Sequence, residues 1–207
     1  MYTLVENKKE RQAAVAACMK PLEEVAAKLR KKYKMKITIQ TVGSNAVNLI
    51  TKDSKGTFDL DFDLLITQCP AELRDNPKKL KDLIRGWLDE AIDRMYTRCG
   101  KDSTSVLTYI FHEKNNTEMI YSMDVGILTM AGKNQPVLRL IFDKPKQVYI
   151  WNQMTEKYNQ LAASVKLLNK KGKKNELRKR YLEKKNDSKY IERASMQILA
   201  EAVNELR

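Results

Sequence analysis

Histidine occurs once, tryptophan twice and cysteine three times in this chain of 207 residues, and each scarcity removes a class of protein. Cys18, Cys69 and Cys99 form no CxxC pair, so neither a disulfide framework nor a cysteine-based zinc site is available. Cys18 falls in an Ala-rich stretch and reads as a buried, reduced thiol of an intracellular protein. His112 is the only histidine, so a Ser-His-Asp hydrolase would rest on it alone, with no nucleophile motif beside it. No apolar run approaches the roughly 18 residues of a membrane span, and the opening MYTLVENKKERQ has no signal-peptide apolar core. The expected location is cytoplasmic, with no membrane partner. Seven glycines and five prolines beside 43% hydrophobic and 31% charged residues describe a globular chain, not a fibrous or disordered one.

What the chain has in excess is positive charge. A net charge of +13 attracts polyanions such as nucleic acid or nucleotides, although a solvated basic face has the same composition. The excess is uneven: between Lys166 and Arg193 stand 12 Lys and Arg against 4 acids, a local net of +8.

Read in order, the chain opens with two expected helices, Pro21 starting the second, whose apolar positions are Leu22, Val25, Ala26 and Leu29. KMKITIQTV predicts a strand from Met35 to Val42, ended by Gly43-Ser44. FDLDFDLLIT predicts a second strand from Phe58 to Thr67. Asn76-Pro77 caps a long amphipathic helix expected to run to Arg98, with Leu80, Ile84, Trp87, Leu88, Ala91, Ile92 and Met95 on its apolar face and Gly100 as its stop. STSVLTYIFH and TEMIYSMDVGILTM flank EKNN as a hairpin, and PVLRLIF is a further strand. From Pro145 onward no strand is expected. Three helices are, broken near Lys171-Gly172-Lys173 and Asn186-Asp187-Ser188.

The chemistry concentrates in the second strand. Asp59, Asp61 and Asp63 alternate with Leu60, Phe62 and Leu64, so a period of two puts three carboxylates on one face. Like charges so close repel, and Asp is a poor strand former. A solvated edge strand tolerates this; a divalent cation compensates it, since Mg²⁺ takes one or two carboxylates together with phosphate oxygens and water. Two further features favour the cation. Gly43-Ser44 directly follows a strand, where backbone N–H groups can cradle phosphate. Asp124 sits inside the apolar run YSMDVGIL, an expensive place for an unpaired charge.

In this order, VGS at Val42–Ser44, DFDLLI at Asp61–Ile66 and MDV at Met123–Val125 resemble the DNA polymerase β-like nucleotidyltransferase superfamily over roughly Met35 to Thr129. The motifs are short, and their combination carries the resemblance. The gap after Ser44 is longer than usual, with KDSKGT as an inserted turn. The third acid leaves the pair open: Asp59/Asp61 fits the spacing better, whereas Asp61/Asp63 fits the following LLI and is the favoured register.

The resemblance implies an α/β fold, a short mixed twisted sheet packed by helices. Residues 1–144 would form the catalytic core, and residues 145–207 a basic helical subdomain closing one side of a cleft. It implies Mg²⁺ or Mn²⁺ held by Asp61, Asp63 and Asp124, with Asp59 nearby. The triphosphate of an NTP, ATP being expected, would lie on Gly43 and Ser44, with Lys166 as a further contact and Tyr149 or Trp151 stacking on the base. Members of the superfamily make cyclic or linear oligonucleotides, adenylylate proteins or modify antibiotics. The basic C-terminal helices point to RNA or another polyanion, and a protein partner is a further option. The chain is short for the bilobal second-messenger synthases of the superfamily. The reading from another class is a non-catalytic, basic nucleic-acid-binding protein with a relic metal site.

Overall fold

The computed structural model describes residues 1–92, 97–112, 118–130, 135–154, 159–190 and 193–207. Its centre is a parallel pair of strands, β4 (Phe58–Gln68) and β7 (Met119–Met130). β2 (Lys36–Thr41) pairs antiparallel with β4, β6 (Leu107–His112) with β7, and β5 (Thr97–Asp102) with β6. β3 (Thr51–Lys52) joins the start of β4, and β1 (Thr3–Leu4) joins β3. β8 (Val137–Asp143) pairs with the end of β7, and β9 (Val148–Gln153) with β8. The described residues thus form one mixed, nine-stranded sheet. Parallel neighbours need a long crossover; here it contains α3 (Ala71–Arg74), α4 (Pro77–Ala91), β5 and β6.

Alternation decides what each face meets. Leu60, Phe62 and Leu64 of β4 pack with Met123, Val125 and Ile127 of β7 in one buried cluster. That cluster includes Cys18, Leu22, Val25 and Leu29 of α1 (Lys8–Tyr33) and Leu80, Ile84 and Leu88 of α4. A second cluster joins α5 (Asn159–Lys170), α6 (Lys174–Asn186) and α7 (Ser195–Glu205) to Leu49. Leu65 and Leu128 of the sheet face Leu161 of α5 and Leu199 of α7 across a cleft. The sheet therefore lies between α1 and α4 on one side and the C-terminal helices on the other.

Three expectations are corrected. The N-terminal segment is one helix of 26 residues with Pro21 inside it. The apolar face from Ala14 to Leu29 continues through the buried Pro21, so packing offsets the lost hydrogen bond. The Pro77 helix is capped by the Asn76 side chain, which accepts from the Lys79 N–H at 3.0 Å, but it ends at Ala91, not Arg98. Thr97–Asp102, with Gly100 inside it, is instead a strand that satisfies the outer backbone of β6. Met95 and the EKNN turn lie outside the described residues. Finally, Val148–Gln153 is a strand beyond the boundary expected at 145, and it completes the pairing of β8.

The KDSKGT insert is a tight turn between β3 and β4. The Asp53 carboxylate accepts from the Lys55 and Thr57 N–H groups at 2.8 and 3.0 Å and from the Thr57 hydroxyl at 2.7 Å. Gly56 supplies the positive φ of +83° that the turn needs. Among the described residues no helix is long and apolar enough to cross a membrane. Leu64 is fully buried at the centre of the first cluster, so Leu64→Ala should lower unfolding free energy by about 2–5 kcal/mol in urea titrations. A loss below about 1 kcal/mol would show that β4 is not the centre of the core.

Candidate active site

Strand register brings the acids together. Asp61 of β4 stands opposite Asp124 of β7, with Thr108 of β6 opposite Asp124 on its other side. In neighbouring rows Asp59 stands opposite Ser122, and Asp63 opposite Gly126. Hydroxyls hold two of these carboxylates: Thr108 Oγ1 donates to Asp124 Oδ1 at 2.5 Å, and Ser122 Oγ to Asp59 Oδ1 at 2.5 Å. A guanidinium holds a third, because Arg139 Nη2 of β8 donates to Asp63 Oδ1 and Oδ2 at 3.0 and 3.1 Å. Gly126 makes that pair possible, since a Cβ there would overlap Asp63 and lie 2.9 Å from Arg139 Nη1.

Electrostatically the acids are not equivalent. Burial foremost, and then Asp124, Asp59 and Asp63, push Asp61 up to about 7, against Arg139. Burial also raises Asp124, countered by the Thr108 hydrogen bond. Asp63 is raised by burial, with the Arg139 charge and hydrogen bonds opposing. Asp61 thus carries the largest uncompensated cost of ionisation at this site.

Gly43 begins the one-turn helix α2 (Gly43–Ala46) at a φ of +63°. That backbone conformation favours glycine, and a Cβ at Gly43 would overlap Asp61 Oδ2. The Gly-Ser turn is therefore built directly against the central acid, with the Val42 N–H donating to the Asp61 carbonyl at 3.0 Å. Two adjoining clefts open here. One, of about 380 Å³, is lined by Ser44, Asp59, Asp61, Asp124, Lys185 and Tyr2, among others. The other, of about 580 Å³, is mostly apolar and holds Gly43, Asp61, Asp63, Asp124 and Arg139. Asp61 and Asp124 line both.

Several expected contacts fall elsewhere. Lys166 lies on the exposed side of α5 and lines neither cleft. Trp151 donates its indole N–H to the Arg74 carbonyl at 2.7 Å, and Tyr149 packs on Phe142 with 4.9 Å between ring centroids; neither lines either of these two clefts. β9 carries both away from the carboxylates. A lysine that shares the smaller cleft with the acids is Lys185, whose pKa burial lowers while Asp59 and Asp61 oppose the shift. It was one of twelve basic residues in its stretch, with nothing local to single it out. Its neighbour Lys184 points into α7 instead, pairing with Glu205 at 2.6 Å. Arg180 also pairs with Glu205, Arg193 with Glu201, and Arg178 with Glu6. Four of the twelve basic residues of this stretch are thus paired with acids outside the Lys166–Arg193 window.

Among the described residues no group of three or more His, Cys, Asp or Glu is placed so that it could hold a metal ion. The donor set nevertheless fits a hard divalent cation. Asp61 and Asp124 are oxygen ligands in one row, and Mg²⁺ needs only one or two carboxylates beside phosphate and water. Burial and the neighbouring carboxylates raise the pKa of Asp61, and a positive charge beside it would favour its ionised form.

No protein-family model matches the sequence, and no curated protein sequence matches it. Solved structures do match in fold. The Bradyrhizobium diazoefficiens CD-NTase CdnG in complex with GTP superposes with a TM-score of 0.58 at 12% identity, over 94% of this chain and 66% of that one. The Vibrio cholerae DncV cyclic AMP-GMP synthase with the linear intermediate pppA(3′,5′)pG gives 0.63 at 10%, over 98% and 68%. The STING-associated CdnE c-di-GMP synthase of Capnocytophaga granulosa gives 0.59 at 16%, over 98% and 61%. The chain therefore shares the mixed α/β, nucleotidyltransferase-type fold of these structures, and spans about two thirds of their length.

The raised pKa of Asp61 has a signed consequence. An Asp normally titrates near 3.9, so the cation-free protein should lose stability as pH rises from about 4 through about 7, where folded Asp61 ionises. Asp61→Asn should consequently raise the melting temperature in EDTA above pH 7 and leave it unchanged near pH 4. A gain at pH 4 as large as that at pH 8 would show that charge at Asp61 is not the cause.

Proposed function

We propose that the protein is a metal-dependent nucleotidyltransferase that moves a nucleoside monophosphate from an NTP to an acceptor hydroxyl, with release of pyrophosphate. The observation that carries this is the single row in which Asp61 and Asp124 stand side by side, backed by the Gly43–Ser44 turn and open to a cleft. Like carboxylates in register are costly unless the function brings positive charge to them. GTP in the matched CdnG and the linear dinucleotide in the matched DncV support a nucleotide as donor, and a nucleotide hydroxyl as acceptor.

Within this reading Asp61 and Asp124 are the principal cation ligands. Asp59 lines the same cleft beside that pair, and Asp63 is the counter-charge of Arg139. This is the Asp59/Asp61 register, which the spacing from Gly43-Ser44 also fits. Mg²⁺ or Mn²⁺, when bound, supplies the charge that neutralises the phosphoryl oxygens and lowers the pKa of the acceptor hydroxyl. Gly43 and Ser44 hold the triphosphate, and Lys185 offers it an ammonium from the opposite wall. Asp124 faces the acceptor oxygen and assists the loss of its proton. That oxygen forms its bond to the α-phosphorus while the bond to pyrophosphate breaks in line. The apolar cleft between Leu65 and Leu199 accommodates a base, with Arg139 as its charged edge.

Incubation with Mg²⁺ and each labelled NTP should release pyrophosphate and give a product identifiable by mass spectrometry. Asp61→Asn and Asp124→Asn should reduce release to background while remaining folded. Asp59→Asn should cost more activity than Asp63→Asn if Asp59 is the acid that serves the cleft, and the reverse order would restore the Asp61/Asp63 register. Wild-type protein that binds RNA tightly but releases no pyrophosphate with any NTP or acceptor would favour the non-catalytic reading.

A further inference from the structure

A period of two brings Asp59, Asp61 and Asp124 to one face, but it does not aim their oxygens. The outer torsion of an aspartate is broad, and a carboxylate beside others of like charge gains by turning away. Something must hold the flanking pair against that repulsion. The sheet supplies a hydroxyl at each register position where one is needed. Thr108 stands opposite Asp124 in the antiparallel β6–β7 pair, and Ser122 stands opposite Asp59 in the parallel β4–β7 pair. Both donate at 2.5 Å, at the short end of the range for an O–H bonded to a carboxylate. Each takes only Oδ1 and leaves Oδ2 for another partner. Ser122 is buried, and Thr108 is β-branched, which restricts its χ1 in a strand. The donors are therefore stiff.

We propose that Thr108 is a positioning residue, which fixes the rotation of Asp124 so that its remaining oxygen is presented together with Asp61 to a divalent cation. The proposal rests on the functional reading above. The Thr108 hydroxyl does not line the cleft alongside the acids, so it acts through the carboxylate. Supporting partners of metal ligands characteristically contribute about 10–100-fold in metal affinity. A hydroxyl that merely satisfied a carboxylate would contribute to folding stability and leave metal affinity unchanged.

The test is Mn²⁺ binding, followed by electron paramagnetic resonance in the presence of a non-hydrolysable NTP. Thr108→Val keeps the shape and removes the donor, and should weaken Mn²⁺ binding roughly 10–100-fold. Thr108→Ser restores the donor and should return affinity to the wild-type value. Ser122→Ala removes the matching donor to Asp59, outside that pair, and should leave Mn²⁺ affinity close to wild type, and melting in EDTA identifies any variant that has failed to fold. Thr108→Val binding Mn²⁺ as tightly as wild type would overturn the proposal. So would Thr108→Ser binding as weakly as Thr108→Val, because the methyl group and not the hydroxyl would then be the cause. Wild-type protein that binds no Mn²⁺ with nucleotide present would instead overturn the functional reading itself.

Discussion

Everything at the cleft depends on one pairing, the parallel alignment of β4 with β7 that sets Asp61 beside Asp124. The alignment is enforced from the opposite face. Leu60, Phe62 and Leu64 meet Met123, Val125 and Ile127 beneath α1 and α4, and a slip of one residue would turn those side chains to the cleft and the acids to the core. Hydrophobic burial at roughly 25 cal/mol per Å² thus supplies the energy that holds like charges together. The repulsion that remains is concentrated on Asp61, the acid with neighbours on every side.

The surrounding residues divide into those that make room and those that supply compensation. Gly43 and Gly126 leave the space that Asp61 and the Asp63–Arg139 pair occupy. Thr108, Ser122 and Arg139 each bind a flanking carboxylate, and Lys185 faces the acids across the smaller cleft. The protein neutralises its own acids in part, and the face shared by Asp61 and Asp124 is where that neutralisation is least complete. The net charge of +13 bears on this less than its size suggests. Arg178, Arg180, Lys184 and Arg193 are held by acids from α7 and the N-terminal segment, so they brace the helical layer as well as forming a basic surface.

Residues with a strong local signal were legible in the chain itself. The alternation in FDLDFDLLIT, the Gly-Ser pair after a strand and the lone Asp in YSMDVGIL identify the elements and the face on which the acids lie, because side-chain direction in a strand follows from position alone. The Asn76-Pro77 helix start was legible for the same reason: the cap is a contact between residues three apart. What was misread lay where distant partners override local preference. Pro21 is a helix breaker by propensity, yet it sits within a continuous helix because its neighbours are buried against the sheet. Thr97–Asp102 and Val148–Gln153 are strands because β6 and β8 have backbone groups that require partners.

The sequence by itself determined that three carboxylates share a strand face, that a Gly-Ser turn precedes them and that a fourth acid interrupts an apolar strand, since each is a matter of spacing along one chain. Only the tertiary structure decided which acids act together. Arg139 is 76 residues from Asp63, Ser122 is 63 from Asp59, and Lys185 belongs to a helix packed across the cleft. Which carboxylate keeps its charge uncompensated is set by what approaches it through space, and electrostatic interaction depends on that distance and on burial, not on separation along the chain.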